Sequence, residues 1–342
     1  GASQGAARVG LSPLVVGLTV VAFGTSAPEV AISLLAVHQG QSDLALGNVV
    51  GSNIFNVLLI LGVAALVAPL VVDRKLVRFD VPILVAASAL VLVMALDGEV
   101  SSLEGGVLLG GLAAYLLYTL RQARPEPVAA ATKPSRETAP APPPSLAKSG
   151  VLFVVGLGLL VGGAQLLVTG GAGLARAAGL SELIVGLTIL AAGTSIPEVA
   201  TSVVAAWRGQ RDIAVGNAIG SSLFNLLFVL GAAALLSTGV PVPNGALHFD
   251  LPVMLATAVA ALPIFFTGYR VDRWEGAVLV GYYAAYLAYL ILDATGHDAA
   301  VPFGRAMLMF VVPLTALTLL GIVLAARRQT SQPLRPDTEA SS

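Results

Sequence analysis

The sequence predicts an all-α polytopic membrane protein. It has two inverted-topology repeats of five helices, with the first helix of repeat 1 missing from the chain, plus one extra C-terminal helix. Three observations predict this. The 342 residues are 56% apolar and 11% charged, with a mean hydropathy of +0.89, whereas a soluble domain carries about 25% charged residues. The apolar residues gather into ten stretches of membrane-spanning length, roughly 20 residues each. Finally, one block of 52 residues occurs twice.

With so few charges the chain cannot cover a globule with a water-compatible surface, so lipid is its natural surrounding. A net charge of −1 offers nothing to nucleic acid, and no protein partner is readable. The absence of Cys excludes disulfides and thiolate metal sites.

The ten stretches are 12–37, 43–68, 80–96, 103–120, 150–169, 181–206, 212–236, 250–267, 274–292 and 305–326. In lipid every backbone polar group must be satisfied within the segment, and the stretches lack strand alternation, so each is read as a helix. Residues 121–148 are rich in Ala, Pro and Thr, with Pro142, Pro143 and Pro144 in a row, and 329–342 are polar. Both read as flexible, solvated segments. The division is therefore a first membrane repeat at 1–120, a linker at 121–148, a second repeat at 149–295, an extra helix at 296–328 and a tail at 329–342. Threading the spans places 16 of the 18 Lys and Arg residues on one face, leaving only Arg176 and Arg305 on the other. The positive-inside rule then makes the linker and the tail cytoplasmic.

A shift of 169 residues aligns Leu11–Gly62 with Leu180–Gly231 without a gap, and 30 of the 52 positions are identical. The likeness continues in Phe79-Asp80-Val81-Pro82 against Phe249-Asp250-Leu251-Pro252, and in Glu104-Gly105 against Glu275-Gly276. Five spans separate the two starts. An odd number inverts the second copy, as in secondary transporters with a site at the repeat interface. Gly1 aligns with Gly170, so the helix at 150–169 has no counterpart in the first half, and a further apolar helix is expected upstream.

Of 19 carboxylates, two lie well inside spans at equivalent repeat positions, Glu29 and Glu198. Intramembrane acids are costly and point to function. No Lys, Arg or His falls inside a span to pair with them, which leaves a cation from solution. Gly24-Thr25-Ser26-Ala27-Pro28-Glu29 recurs as Gly193-Thr194-Ser195-Ile196-Pro197-Glu198. Proline removes an amide donor and clashes with the preceding turn, so a kink is expected to free carbonyls near Ala22 and Ala191. Thr25 and Ser26 are expected beside Glu29 at helical spacing. The next span carries Gly47-Asn48-Val49-Val50-Gly51-Ser52-Asn53-Ile54-Phe55-Asn56, echoed by Gly216-Asn217-Ala218-Ile219-Gly220-Ser221-Ser222-Leu223-Phe224-Asn225. Its glycines at four-residue spacing allow close helix contact. Hard oxygen donors without soft ligands favour Na+ and Ca2+ over transition metals.

These paired segments resemble the alpha repeats of the sodium/calcium exchanger family of the calcium/cation antiporter superfamily, in particular its bacterial members, over residues 11–295. The resemblance implies two inverted five-helix halves around four central cation sites, where Ca2+ alternates with Na+. It also implies an inner (plasma) membrane location and no cofactor beyond the transported Ca2+ and Na+. The ligands it implies are Glu29, Glu198, Thr25, Ser26, Thr194, Ser195, Ser52, Ser221, Asn56 and Asn225, with the carbonyls of Ala22 and Ala191. The chain departs from the family at Asn225, where some relatives carry Asp, and at Gly220-Ser221-Ser222, where the first copy has Gly-Ser-Asn. H+ in place of Na+ is the alternative counter-ion, and a cation channel is a more distant one. An intramembrane hydrolase using Ser26 or Ser52 lacks the buried base it would need. His38, His248 and His297 read as surface residues, and Tyr115, Tyr118, Tyr286 and Tyr289 as interfacial anchors. The linker acids, Glu126 and Glu137, are too few for an acidic calcium sensor.

Overall fold

Each apolar stretch becomes a helix or a broken helix in the computed structural model, which describes residues 12–122, 146–177, 179–266, 268–317 and 320. Helix α1 is broken, its limbs Leu14–Thr25 and Ala27–His38 meeting at 44°. It is followed by α2 (Ser42–Val67), α3 (Leu76–Asp97), α4 (Ser102–Gln122) and the long α5 (Leu146–Ala177). Helix α6 repeats the break, with limbs Glu182–Thr194 and Ile196–Trp207 at 43°. Then come α7 (Arg211–Leu236), α8 (Ala246–Phe266), α9 (Arg273–Ala294) and α10 (Ala300–Leu317). The last span begins five residues before the expected 305, and its remainder beyond Leu317 lies almost wholly outside the described residues. So do residues 1–11, most of the linker and the 329–342 tail, together with the charges they carry.

Helices α2 and α7 form the centre. Burial runs unbroken from Leu44 to Leu58 and from Ile213 to Leu227, the mark of a helix surrounded on every side. Glycine permits this. A Cβ on Gly51 would lie 2.6 Å from the Leu187 carbonyl oxygen, and one on Gly220 would lie 2.7 Å from that of Leu18. The α2 backbone thus rests directly on the first limb of α6, and α7 on the first limb of α1. Each copy is packed into the other.

Two short antiparallel clasps also join the copies. Strand β1 (Leu70–Val71) pairs with β4 (Arg270–Val271), and β2 (Glu99–Val100) pairs with β3 (Val240–Pro241). Beside the first clasp the Arg74 guanidinium lies 5.1 Å above the Tyr269 ring.

Two expectations are corrected here. Glu29 and Glu198 are not the only acids within the bundle, because Asp80 is 1% and Asp250 3% exposed. Helices α3 and α8 begin at Leu76 and Ala246 with a π-helical turn, so each aspartate sits a full turn inside a helix that hydropathy had started at the aspartate. Tyr115 donates to Asp80 Oδ1 at 3.0 Å and Tyr286 to Asp250 Oδ1 at 2.9 Å. Both tyrosines are therefore buried pins between helices, not interfacial anchors. Glu275 is also buried, within a capping box with Asp272 at the start of α9.

Candidate functional site

The breaks in α1 and α6 follow from their sequence. Pro28 and Pro197 lack an amide hydrogen and occupy the first turn of each second limb, where none is required. Ser26 and Ser195 are the hinge residues, at φ −80° and −86° with ψ near 8° and 7°. The expected release of the Ala22 and Ala191 carbonyls does not occur. Ala22 O accepts the Ser26 amide at 3.0 Å, and Ala191 O that of Ser195 at 3.2 Å, because proline deprives the carbonyl four residues back, at Gly24 and Gly193.

The hinge turns each hydroxyl pair away from its own glutamate. Ser26 Oγ donates to Glu198 Oε1 at 3.0 Å, and Ser195 Oγ donates to Glu29 Oε1 at 3.0 Å. The expectation that Thr25 and Ser26 share a face with Glu29 assumed a continuous helix, and the break exchanges them across the repeats. Ser221 Oγ approaches Glu198 Oε1 at 3.4 Å. The second limb of α1 packs on the π-helical turn that begins at Asn225, and that of α6 on the turn that begins at Asn56. Glu29, Glu198, Ser26, Ser195, Ser52, Ser221, Asn56 and Asn225 are all 0% exposed, and Thr25 and Thr194 nearly so.

A second layer, absent from the residues predicted for the site, holds the first. Asn48 Nδ2 donates to Ser33 Oγ at 3.0 Å and reaches the Glu29 carbonyl at 3.5 Å, while its Oδ1 accepts from Thr194 Oγ1 at 3.1 Å. Asn217 repeats this with Ser202, the Glu198 carbonyl and Thr25, at 3.0, 3.3 and 3.2 Å. Each asparagine therefore ties the limb bearing its own half's glutamate to the threonine of the other half. The available signal was the identity of Asn48 with Asn217 and of Ser33 with Ser202 at matching repeat positions.

Buried polar atoms are ordinarily paired. Here Glu29 Oε2, Glu198 Oε2, Ser52 Oγ and both amide atoms of Asn56 and of Asn225 are sealed from solvent without a partner among the described residues. None of the buried charged residues described is a Lys, Arg or His. Two carboxylates, ringed by hydroxyls and amides and with no base beside them among the described residues, gather hard oxygen donors, the ligand type that Ca2+ and Na+ take.

A sequence model of the family described as "Sodium/calcium exchanger protein" matches residues 1–121 and 148–292. The chain belongs to the sodium/calcium exchanger family. This exchanger is 36% identical over 297 residues to the putative antiporter CaxA of Alkalimonas amylolytica, an alignment covering 86% of the chain and 92% of CaxA. It is 37% identical over 284 residues to the inner membrane protein YrbG of Escherichia coli K12, covering 82% and 87%. Its fold matches the sodium-calcium exchanger NCX_Mj soaked with 2.5 mM Na+ and 0.1 mM Ca2+, with a TM-score of 0.68 at 30% identity over 84% of the chain and 90% of that structure.

Proposed function

We propose that the exchanger moves Ca2+ against Na+ by alternating access, with both ions held between the repeats. The observation that carries this is the pair of sealed carboxylates, each bonded to the other half's serine and each with one oxygen unpartnered. In the proposed site Glu29 and Glu198 supply the charge. Thr25, Ser26, Thr194, Ser195, Ser52, Ser221, Asn56 and Asn225 supply neutral oxygen, and the Ala22 and Ala191 carbonyls join them where an ion displaces the Thr25 and Thr194 hydroxyls that lie 3.3 and 3.4 Å from them. With asparagine at both 56 and 225 the fixed charge is −2. One Ca2+ or two monovalent cations neutralise it, and a bare pair of carboxylates in the bundle would cost several kcal/mol. Exchange of one load for the other keeps the centre neutral.

Alternation needs the halves to face opposite sides. Five spans separate the start of α1 from that of α6, which supports inversion. The chain has no Cys, so single cysteines at Gln41 and Gln210 report on this directly. The expected outcome is labelling from outside at 41 and from the cytoplasm at 210. Labelling of both from one side refutes the inverted arrangement.

The experiment that tests the function is Ca2+ uptake into vesicles with an imposed Na+ or H+ gradient. Acceleration by the Na+ gradient, and its loss in Glu29→Gln, is expected. Acceleration by the H+ gradient alone favours H+ as counter-ion, for which the two carboxylates are the sealed titratable groups in the centre among the described residues. Ca2+ flux that runs without a counter-ion identifies a channel.

A further inference from the structure

The aspartates pinned by tyrosine differ in one respect. Asp80 Oδ2 is sealed in the protein without a partner. Asp250, its counterpart, lines a cavity of about 430 Å3 between the start of α6 and helices α8 and α9. Asp250 is almost wholly buried, and its Oδ1 is held by Tyr286. Its Oδ2 has no partner among the described residues and, unlike that of Asp80, is not sealed. Asp293 lines the same cavity one helical turn beyond Tyr289, and Ser181 and His248 complete its polar side.

The charge of this mouth also differs from that of its counterpart. The residues matching His248 and Asp293 in the first copy are Arg78 and Gln122. No Lys or Arg lines the cavity. Arg176, three residues before Gly179 of its wall, is held in a two-pronged pair with Glu182 at 2.8 and 2.9 Å. A cavity with apolar walls and acids of one sign concentrates cations from solution. Among the described residues no group of three His, Cys, Asp or Glu side chains could cage a metal ion, so an ion here keeps much of its water.

We propose that this cavity is a second cation site, in which partly hydrated Ca2+ rests on Asp250 Oδ2 and on Asp293 before or after its passage through the centre. It shares no residue with the central receptor. Leu183, in the cavity wall, lies 11 residues before Thr194 on the first limb of α6, about 16 Å along a helix.

The test is equilibrium dialysis of radioactive Ca2+ against the purified full chain carrying Glu29→Gln and Glu198→Gln, which removes the central charge. The double variant is expected to retain about one Ca2+ per chain with a dissociation constant on the order of 10⁻³ M, as in weak oxygen-ligand sites. Adding Asp250→Asn, which keeps an oxygen for Tyr286, should abolish that binding, and Asp293→Asn should weaken it about fivefold. Asp80→Asn, in the sealed counterpart, should leave it unchanged. Retention of the weak site in Asp250→Asn, its equal loss in Asp80→Asn, or no Ca2+ binding in the double variant overturns the proposal. If the double variant is not monodisperse, the same substitutions are read in the otherwise unaltered chain. There Asp250→Asn should remove only the weakest Ca2+ equivalent, and an unchanged number of bound ions refutes the site. Retention of tight binding by the double variant would instead count against the central assignment, so the two readings fail separately.

Discussion

The two copies are nearly the same machine at the centre and different proteins at the edge. Around the hinge serines three contacts recur: serine to the opposite glutamate at 3.0 Å in both, asparagine to its own half's serine at 3.0 Å in both, and threonine to the opposite asparagine at 3.2 and 3.1 Å. One does not, since Ser221 reaches Glu198 at 3.4 Å and its counterpart Ser52 has no partner among the described residues. A turn from the membrane boundary the likeness lapses, with one aspartate sealed and the other open to a cavity. At the centre each half's glutamate is bonded to the other half's serine, so a change in one half is felt in the other. The periphery has no such constraint.

The equivalence of the glutamates is the easiest part of this comparison to break. Glu29→Gln and Glu198→Gln should each reduce Ca2+ uptake in vesicles at least about 100-fold, the effect of losing one of two buried charges on a divalent ion. Both variants should remain monodisperse in detergent. More than a tenfold difference between them would show that the halves do not share the ion equally.

Next in size are the asparagines of the second layer. Asn48→Ala leaves the buried Ser33 hydroxyl without its partner, at about 1–3 kcal/mol for an unsatisfied group, whereas in Asn217→Ala Ser202 keeps the Ala214 carbonyl and both threonines keep their own helix carbonyls, at Val21 and Leu190. Thermal unfolding should therefore shift downward more in Asn48→Ala, and in both the Ca2+ concentration for half-maximal exchange should rise about tenfold. A shift in unfolding without any change in exchange would reduce these residues to packing.

Asn225→Asp probes whether the asparagines at 56 and 225 face the ions. It adds a titratable group to one side of a symmetric pair, so exchange should acquire a dependence on pH, or a changed preference among cations, that Asn56→Asp reproduces. Unaltered profiles in both would take these positions out of the receptor.

The smallest effect is expected at the tyrosine pins. Tyr115→Phe and Tyr286→Phe each remove one hydrogen bond, about 1 kcal/mol. The loss should be larger at Tyr115, because Asp80 has no other side-chain hydrogen bond among the described residues and almost no access to solvent, whereas Asp250 opens to the cavity. Equal shifts in unfolding temperature would contradict the difference between the two aspartates.

Much of this was legible in the sequence. Ten spans, the two breaks at Pro28 and Pro197, and the pairing of Glu29 with Glu198 follow from hydropathy, proline chemistry and a single alignment. What could not be read was partnership across the bundle. Counting residues along one helix put Ser26 beside Glu29, and only a tertiary contact shows that it serves Glu198. Asp80 and Asp250 were seen as matching repeat positions, but their burial escaped notice for a different reason. A hydropathy window ends at a charge by construction, so an acid drawn inside the bundle by a tyrosine is mistaken for a boundary. Asn48 and Asn217 were visible within their motifs, but an amide among glycines gives no hint of which helix it will hold.

The π-helical turns show where winding departs from the regular helix. Within the repeats they fall at Gly17–Val21 and Gly186–Leu190, at Asn56–Ile60 and Asn225–Leu230, and at Leu76–Asp80 and Ala246–Asp250, and one more, at Met307–Val311, lies outside them. Each widens an α-helix locally, a feature frequent at functional sites. The three in one copy stand at places matching the three in the other, so this irregular winding belongs to the repeated unit itself and not to either half. In both copies the middle turn opens on an asparagine, Asn56 or Asn225, so the amide sits where the helix is at its widest.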